Sequence, residues 1–297
     1  MPSPRAGESR DDFLDRCIPE VVAEGRDPDQ AVAMCIAYYE GEKDKAFNLE
    51  DGGVVEYWKA FDRKRQSYES KYTRRIIKAL NDQLDIYRDA TTVADFRKDI
   101  DPSIMKEAFE ELYLEVGDSF ARSTFSGLKS MPYTETKQEP AWIAQLQKLI
   151  DYDLRDRLRG LDETTRKQID KIVQEGLENG DNVEQIKERI IATRSMASLD
   201  GMTPGRARTI SNTEIVTASN AGSLMGALST GLNFEKQWVT TLDGDARTSH
   251  LAVNAVRVAK NATWRVGNSD LQFPGDPNGK PEEVINCRCT QIYITED

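Results

Sequence analysis

A long apolar stripe is the feature that most constrains how this chain can fold. From Val54 to about Arg88, large apolar residues recur at gaps of three, four or seven, with charged residues on the opposite side. The members of the stripe are Trp58, Phe61, Tyr68, Tyr72, Ile76, Leu80, Leu84 and Tyr87. The spacing predicts one helix about 50 Å long, at roughly 1.5 Å per residue. A helix of this length is typical of a stalk or the spine of a helical bundle.

The pattern of the following residues stays helical as far as Gly231 and then changes. Further helices are predicted over Ile104–Phe125 and Ala141–Leu158, then in a run that ends at Gly180, and from Pro204 to about Leu228. Asn182 and Gln185 predict a capping box between them. The later stretches KQWVTTL, ATWRV and CTQIYIT are typical of strands, separated by turn sequences. The predicted fold is mainly α with a small C-terminal α+β unit, a long-helix body plus a short β-sheet module.

These changes of pattern predict four segments. We expect an N-terminal helical hairpin over 1–42, a linker over 43–53, a helical body over 54–230 and a small α+β unit over 231–297. Cys17 and Cys35 fall on the apolar faces of the hairpin, where buried free thiols are expected. A disulfide between them is the alternative, disfavoured if the compartment is reducing.

The charge of the chain argues against a general nucleic-acid coat, because its formal net charge is −11. A local basic stretch nevertheless lies along the long helix. It consists of Arg63, Lys64, Arg65, Lys71, Arg74, Arg75 and Lys78. This stretch is either a solvated helix face or a contact to DNA. No segment approaches the roughly 18–20 apolar residues of a membrane span, so no membrane contact is expected.

His250, Cys287 and Cys289 are the strongest candidates for ligands of a metal ion. Cysteines at i and i+2 of a strand point to the same face, and a disulfide between them would be strained. Zinc prefers four nitrogen or sulfur ligands, so Asp243, Asp245 or water would complete the set. Such an ion would also stabilise a unit with few large apolar residues. The alternative is that His250 bonds a backbone carbonyl and the cysteines pack in a small core.

The last long helix carries a polar stripe among small residues. Arg206, Thr213, Thr217 and Asn220 share one side of the helical wheel, with Glu214 at its border. Small residues such as Gly222 and Gly226 permit close approach of a neighbouring backbone. The stripe itself is either a binding surface or a capped, solvated face.

The same C-terminal region offers only weak support for catalysis. Asp243, Asp245, Arg247, Ser249 and His250 lie within eight residues. Ser249 and His250 are adjacent in sequence and cannot easily face each other, as a hydrolase would require. The chain has no glycine-rich phosphate cradle. We therefore expect no enzymatic activity, with a metal-dependent nuclease or processing enzyme using His250 and Asp245 as the alternative.

Three stretches together resemble the phage Mu F-like and SPP1-type minor head proteins, which are head morphogenesis proteins of tailed phages. They are RARTISNTEIVTASNAGSLMGAL, KQWVTTLDGDARTSHLAVNAVRV and FPGDPNGKPEEVINCRC. The matching positions are Arg206, Ile210, Thr213, Glu214, Asn220, Trp238, Asp243, Arg247, His250, Pro274, Gly275, Asp276, Asn286, Cys287, Arg288 and Cys289. The resemblance departs from the family pattern at Asn254-Ala255, where a glycine-bearing turn is expected.

This resemblance implies a minor capsid protein, present in few copies inside the head near the portal vertex. The expected partners are the portal protein and the major capsid or scaffold proteins, with packaged double-stranded DNA as a further contact. The expected roles are head assembly, DNA packaging or DNA ejection. Synthesis would take place in the host cytoplasm.

Overall fold

The chain folds into helices followed by a small sheet. The computed structural model describes residues 8–23, 28, 31–32, 35, 51–129, 140–193, 204–241 and 245–295. Two compact units are present, one formed by Arg65–Thr230 and the other by Met1–Lys64 together with Gly231–Asp297. The predicted fold class, mainly α with a small C-terminal α+β unit, is confirmed. The four predicted segment boundaries remain a prediction.

The N-terminal helix α1 spans Arg10–Ala23 and buries Phe13, Cys17 and Val21. Ser9 precedes it, and its hydroxyl accepts a hydrogen bond from the Asp12 backbone at 3.2 Å, as an N-cap residue does. Cys17 and Cys35 are joined by a disulfide, with their Cα atoms 6.0 Å apart. The expectation of free thiols is therefore wrong, because both sulfurs face the same small core at bonding distance. Most of the second predicted hairpin helix lies outside the described residues.

The long helix predicted from the apolar stripe is α2, Asp51–Asp82. It begins within the expected linker, of which residues 43–50 lie outside the described part. It also ends earlier than predicted, since the backbone at Leu84 tightens to a bond with Asn81 and a 3-10 turn follows at Asp85–Tyr87. Most of the stripe is buried, as its spacing predicts, and a second 3-10 turn follows at Val93–Arg97.

Two helices pack at unusually close range in the Arg65–Thr230 unit. Helix α3 spans Pro102–Lys129 and α7 spans Pro204–Ser229. A Cβ atom placed on Gly222 of α7 would lie 2.1 Å from the carbonyl oxygen of Gly117 on α3. A Cβ atom on Gly226 would lie 2.3 Å from the carbonyl oxygen of Ala121. The close backbone approach expected from the small residues of α7 is thus present.

The remaining helices of this unit differ from the prediction at one junction. Helix α4 covers Ala141–Lys148, a π turn covers Leu149–Asp153, and α5 runs over Arg155–Glu178. The single helix predicted over Ala141–Leu158 is therefore interrupted, because the backbone at Leu154 bonds back five residues to Leu149.

The predicted signals between α5 and the next helix, α6 (Val183–Ala192), are confirmed. Gly180 has φ +77°, and the backbone of Asp181 bonds the carbonyl of Gly176, which is a Schellman ending. Asn182 and Gln185 then form the reciprocal capping box that opens α6.

The elements of the C-terminal unit are β1 (Phe234–Val239), α8 (Thr248–Leu251), β2 (Arg257–Ala259), β3 (Trp264–Val266), β4 (Ser269–Leu271), α9 (Pro281–Val284) and β5 (Thr290–Thr295). The strands form a three-stranded antiparallel sheet of order β2-β1-β5 and a separate β3-β4 hairpin. All six residues of β1 pair with β5. Within the described part of the chain, no helix combines the length and hydropathy needed to span a bilayer.

A buried lysine joins the sheet to the hairpin. The ammonium group of Lys236 on β1 donates to the carbonyls of Ala262, at 2.8 Å, and Gln272, at 2.7 Å. It also lies 4.6 Å from the ring centroid of Trp264, within cation–π range. Burial lowers the pKa of Lys236 to about 8, against the opposing effect of Asp276.

Candidate metal centre and the buried motif residues

Trp238 on β1 is the largest side chain around the candidate metal centre. It is fully buried and lies edge-on to His250, with ring centroids 5.6 Å apart, and edge-on to Trp264 at 5.4 Å. The indole of Trp264 donates to the carbonyl of Val256 at 2.8 Å. Trp238 therefore forms an aromatic wall beside the imidazole, and Trp264 packs against Trp238.

The short helix α8 positions His250 against this wall. Arg247 is its N-cap residue, and the Arg247 carbonyl accepts the backbone N–H of His250 at 3.0 Å. The Arg247 guanidinium donates to the carbonyl of Ile285, next to Asn286. This contact ties the start of α8 to the segment that carries the two cysteines.

Cys287 and Cys289 lie in an irregular segment just before β5, which corrects the expectation that they occupy a strand. Asn286 adopts φ +56°, a left-handed conformation that asparagine tolerates, and the chain turns there after α9. The backbone N–H of Cys287 then bonds the carbonyl of Val284 at 3.1 Å. Both sulfur atoms are buried and unbridged.

The structure brings the three predicted ligands together. Nδ1 of His250 lies 3.3 Å from Sγ of Cys289 and 3.8 Å from Sγ of Cys287. The three candidate ligand atoms all lie within 4.8 Å of one another, and all three residues are buried. The alternative of a histidine bonded to a backbone carbonyl does not describe this imidazole, because its Nδ1 atom faces sulfur.

Glu283 on α9 lies at the other imidazole nitrogen. Its Oε2 atom is 3.2 Å from Nε2 of His250 and accepts a hydrogen bond of 2.6 Å from the Ser249 hydroxyl. Nε2 itself forms no hydrogen bond of good geometry, so the carboxylate acts on the imidazole mainly through its charge. A carboxylate at this position favours the proton on Nε2 and leaves the Nδ1 lone pair directed at the sulfurs.

The backbone leaves space for this carboxylate at Gly267. Gly267 has φ +53° and is the first residue of the two-residue loop between β3 and β4. A Cβ atom there would lie 2.1 Å from Oε1 of Glu283. Glycine is therefore required both by the turn and by the buried carboxylate.

The environments of the two thiols move their pKa values in opposite directions. The hydrogen bond with Cys289 lowers the pKa of Cys287, against the opposing effect of burial. Burial, followed by the hydrogen bond with Cys287, raises the pKa of Cys289.

Asp245, a further predicted ligand, is not part of this group. The carboxylate of Asp245 is largely exposed and lies 3.4 Å from the Arg288 guanidinium. Asp243 lies outside the described residues. The nuclease alternative requires His250 and Asp245 to act together on a polymer, and a histidine that is only 2% exposed is poorly placed for that contact.

The carboxylate of Asp276 stabilises the Pro-Gly-Asp loop through hydrogen bonds to its backbone. Its carboxylate accepts backbone hydrogen bonds from Gln272, at 2.8 Å, and Asn278, at 2.9 Å. Gly275 before it has φ +85°, which only glycine adopts readily. These contacts hold the loop between β4 and α9.

The polar stripe of α7 lies in the interior of the helical unit, so neither a solvated face nor an exposed binding surface describes it. Glu214 accepts from the Tyr113 hydroxyl at 2.6 Å and from the Arg157 guanidinium at 2.9 Å. Arg206 donates to the carbonyl of Leu161 at 2.9 Å. Thr213, Thr217 and Asn220 are buried along the same helix.

The basic stretch of α2 is largely engaged within the protein. Lys71 and Arg75 pair with Glu111 and Glu115 on α3. Lys78 pairs with Asp82, Arg65 is buried, and Lys64 is half-buried. Arg63 and Arg74 are exposed. Contact with DNA remains a prediction. Arg63 and Arg74 are the members of the stretch whose charges are best placed for it.

Sequence reasoning missed Glu283, Arg157 and Tyr113. Glu283 lies four residues before Cys287, and this proximity to the thiols is the signal that could have indicated it. Arg157 and Tyr113 lie 57 and 101 residues from Glu214, so no local pattern pointed to them.

The architecture and the motif residues together define a mainly helical protein with a small C-terminal α+β module. Within this module, His250, Cys287 and Cys289 form a buried group. Residues 167–292, less than half of the chain, match the family described as phage Mu protein F like protein, so this region is similar to that family. The proteins of that family are phage head morphogenesis proteins. Neither a curated protein nor a solved structure gave a match.

Proposed function

We propose that this chain is a minor capsid protein of a tailed phage, bound to the portal inside the head, where it assists head assembly, DNA packaging or DNA ejection. The observation that carries the proposal is the family match over residues 167–292. Most of the residues that carry the sequence resemblance are buried, so they contribute to the packing of the module. The long helix α2 is the proposed docking element for the portal.

The first test is the composition of the phage particle. Purified virions of the source phage are analysed by quantitative mass spectrometry. The expected result is that this chain is present in far fewer copies than the major capsid protein, and in a fixed ratio to the portal. Its absence from purified particles would contradict the proposal.

A second test examines the portal contact directly. The chain is co-expressed with the portal protein of the same phage, and the portal is purified through an affinity tag. We expect the chain to co-purify with the portal, and cross-linking to join lysines of α2, such as Lys59 and Lys78, to portal residues. Co-purification with cross-links confined to another element would reject α2 as the docking element while leaving portal binding intact.

Packaged DNA is a further proposed contact, through Arg63 and Arg74. The double variant Arg63→Ala, Arg74→Ala removes two exposed charges from α2. The matched control Lys71→Ala, Lys78→Ala removes two charges that are paired with acidic residues. If DNA is bound, the first variant alone should reduce the salt slope of duplex binding, by about 0.9 for each phosphate that is no longer neutralised. Equal behaviour of the two variants would exclude a specific role for Arg63 and Arg74.

A further inference from the structure

We propose that Nδ1 of His250 and the thiolates of Cys287 and Cys289 bind one tetrahedral zinc ion whose fourth ligand is water. The ion would join α8 to the segment that leads into β5. This site is independent of portal binding, so either proposal can fail without the other.

The distances from Nδ1 of His250 to the two sulfur atoms fit a zinc tetrahedron. Zinc–sulfur bonds of about 2.3 Å and zinc–nitrogen bonds of about 2.0–2.1 Å place neighbouring ligand atoms roughly 3.6 Å apart. The observed separations of 3.3 and 3.8 Å between Nδ1 and the two sulfurs lie on either side of that value. Two soft thiolates and an imidazole are also the donor set that zinc favours.

Glu283 occupies the position expected of a residue that supports a metal-binding histidine. A ligating imidazole usually has a carboxylate or carbonyl at its other nitrogen, which fixes the ring and increases its basicity. The Glu283 carboxylate lies 3.2 Å from Nε2 and is held by the Ser249 hydroxyl. The Nδ1 atom of the imidazole is therefore left to bind the metal ion, and it lies close to both sulfur atoms.

The described residues supply only part of the coordination sphere. Among the described residues, the group of potential ligands consists of His250, Cys287 and Cys289. The Asp245 carboxylate is directed to Arg288. Three protein ligands leave one position of the tetrahedron to a solvent molecule.

The decisive experiment measures metal in the full-length chain. The chain is purified without added metal chelators, dialysed, and analysed for its elemental content and its zinc X-ray absorption spectrum. We expect about one zinc per chain, coordinated by two sulfurs and two nitrogen or oxygen atoms. Zinc well below one per chain after dialysis would indicate an adventitious ion only, and a stoichiometric metal other than zinc would overturn the assignment.

Variants then test the ligands and the supporting carboxylate. The double variant Cys287→Ser, Cys289→Ser should lose the zinc, whereas Cys17→Ser, Cys35→Ser, which removes the other two cysteines, should retain it. Asp245→Asn should also retain one zinc per chain. Loss of zinc in either control would contradict the ligand set.

Glu283 provides a test that does not remove a ligand. Glu283→Gln should weaken zinc about 10- to 100-fold in competition with a chelator, as changes to such supporting residues do. The control is Glu282→Gln, at the exposed neighbouring position, which should leave the affinity unchanged. Equal affinities for the two variants would show that Glu283 does not support the metal site.

Discussion

The helical unit and the C-terminal unit bury polar groups in different ways. In the helical unit, Glu214 lies among partners that satisfy its charge, a guanidinium and a phenol. In the C-terminal unit, the imidazole of His250 faces two sulfurs on one side and a carboxylate on the other. The first arrangement is complete with protein atoms alone, whereas the second is the site at which a zinc ion is proposed. Burial of motif residues therefore satisfies a charge in one unit and brings the proposed ligands together in the other.

The largest expected effect on the free energy of unfolding comes from breaking the ion pair between Glu214 and Arg157. Glu214→Gln leaves the Arg157 guanidinium in a mostly buried place without its carboxylate, and we expect a loss of about 3–5 kcal/mol in the free energy of unfolding. Urea unfolding of the full chain measures it. Glu111→Gln, which breaks a more exposed pair with Arg75, should cost at most about 1 kcal/mol. Similar losses for both variants would contradict the distinction between buried and exposed pairs.

The close approach of α3 and α7 predicts a comparable effect. Gly222→Ala would place a methyl group 2.1 Å from a backbone oxygen of α3, so the helices must separate. We expect a loss of about 3 kcal/mol, the upper end of the cost of overpacking. Gly127→Ala on α3 has no heavy atom within 4 Å of the added carbon and should stabilise by about 0.5–1 kcal/mol. A stabilising Gly222→Ala, measured in the same way, would rule out the close packing.

The buried lysine of the C-terminal unit predicts a dependence on pH. The folded-state pKa of Lys236 is lowered to about 8, whereas the unfolded value is about 10.4. Between these values the unfolded chain binds more protons than the folded chain, so stability rises with pH, by up to about 3 kcal/mol. Calorimetry at several pH values checks this, with Lys236→Met as the reference that lacks the rise. A parallel rise in Lys236→Met would assign it to other groups.

The smallest expected effect concerns the turn after α8. The family resemblance predicts a glycine-bearing turn at Asn254-Ala255, and Ala255 indeed has φ +62°. Ala255→Gly should stabilise the C-terminal unit by about 1 kcal/mol, because a Cβ atom is disfavoured in this conformation. Ala252→Gly, at a residue with φ −62°, should destabilise it instead. Thermal unfolding distinguishes the two, and a destabilising Ala255→Gly would contradict the strain.

Sequence patterns predicted the parts of this fold that depend on neighbouring residues. The period of the stripe indicated α2, and the chemistry of Gly180 and Asn182 indicated the end of one helix and the start of the next. The interruption after α4 was missed because a five-residue backbone bond at Leu149 has no side-chain signature.

The chemistry of the sites was only partly predictable, because some partner residues are distant in the sequence. His250, Cys287 and Cys289 were identified by residue type, and the resemblance supplied the surrounding motif. The role of Glu214 depends on Tyr113 and Arg157, which tertiary packing brings to it. The helical wheel grouped the polar residues of α7 correctly but could not determine that this side of the helix is buried.

The edge-on packing of Trp238 against His250 gives the C-terminal unit an intrinsic optical probe. Indole emission responds to the charge and polarisability of nearby groups, and this ring lies 5.6 Å from the imidazole. With Trp58 and Trp142 replaced by phenylalanine, the emission would come from Trp238 and its neighbour Trp264 alone. Changes at the imidazole could then be followed in real time, without an attached dye.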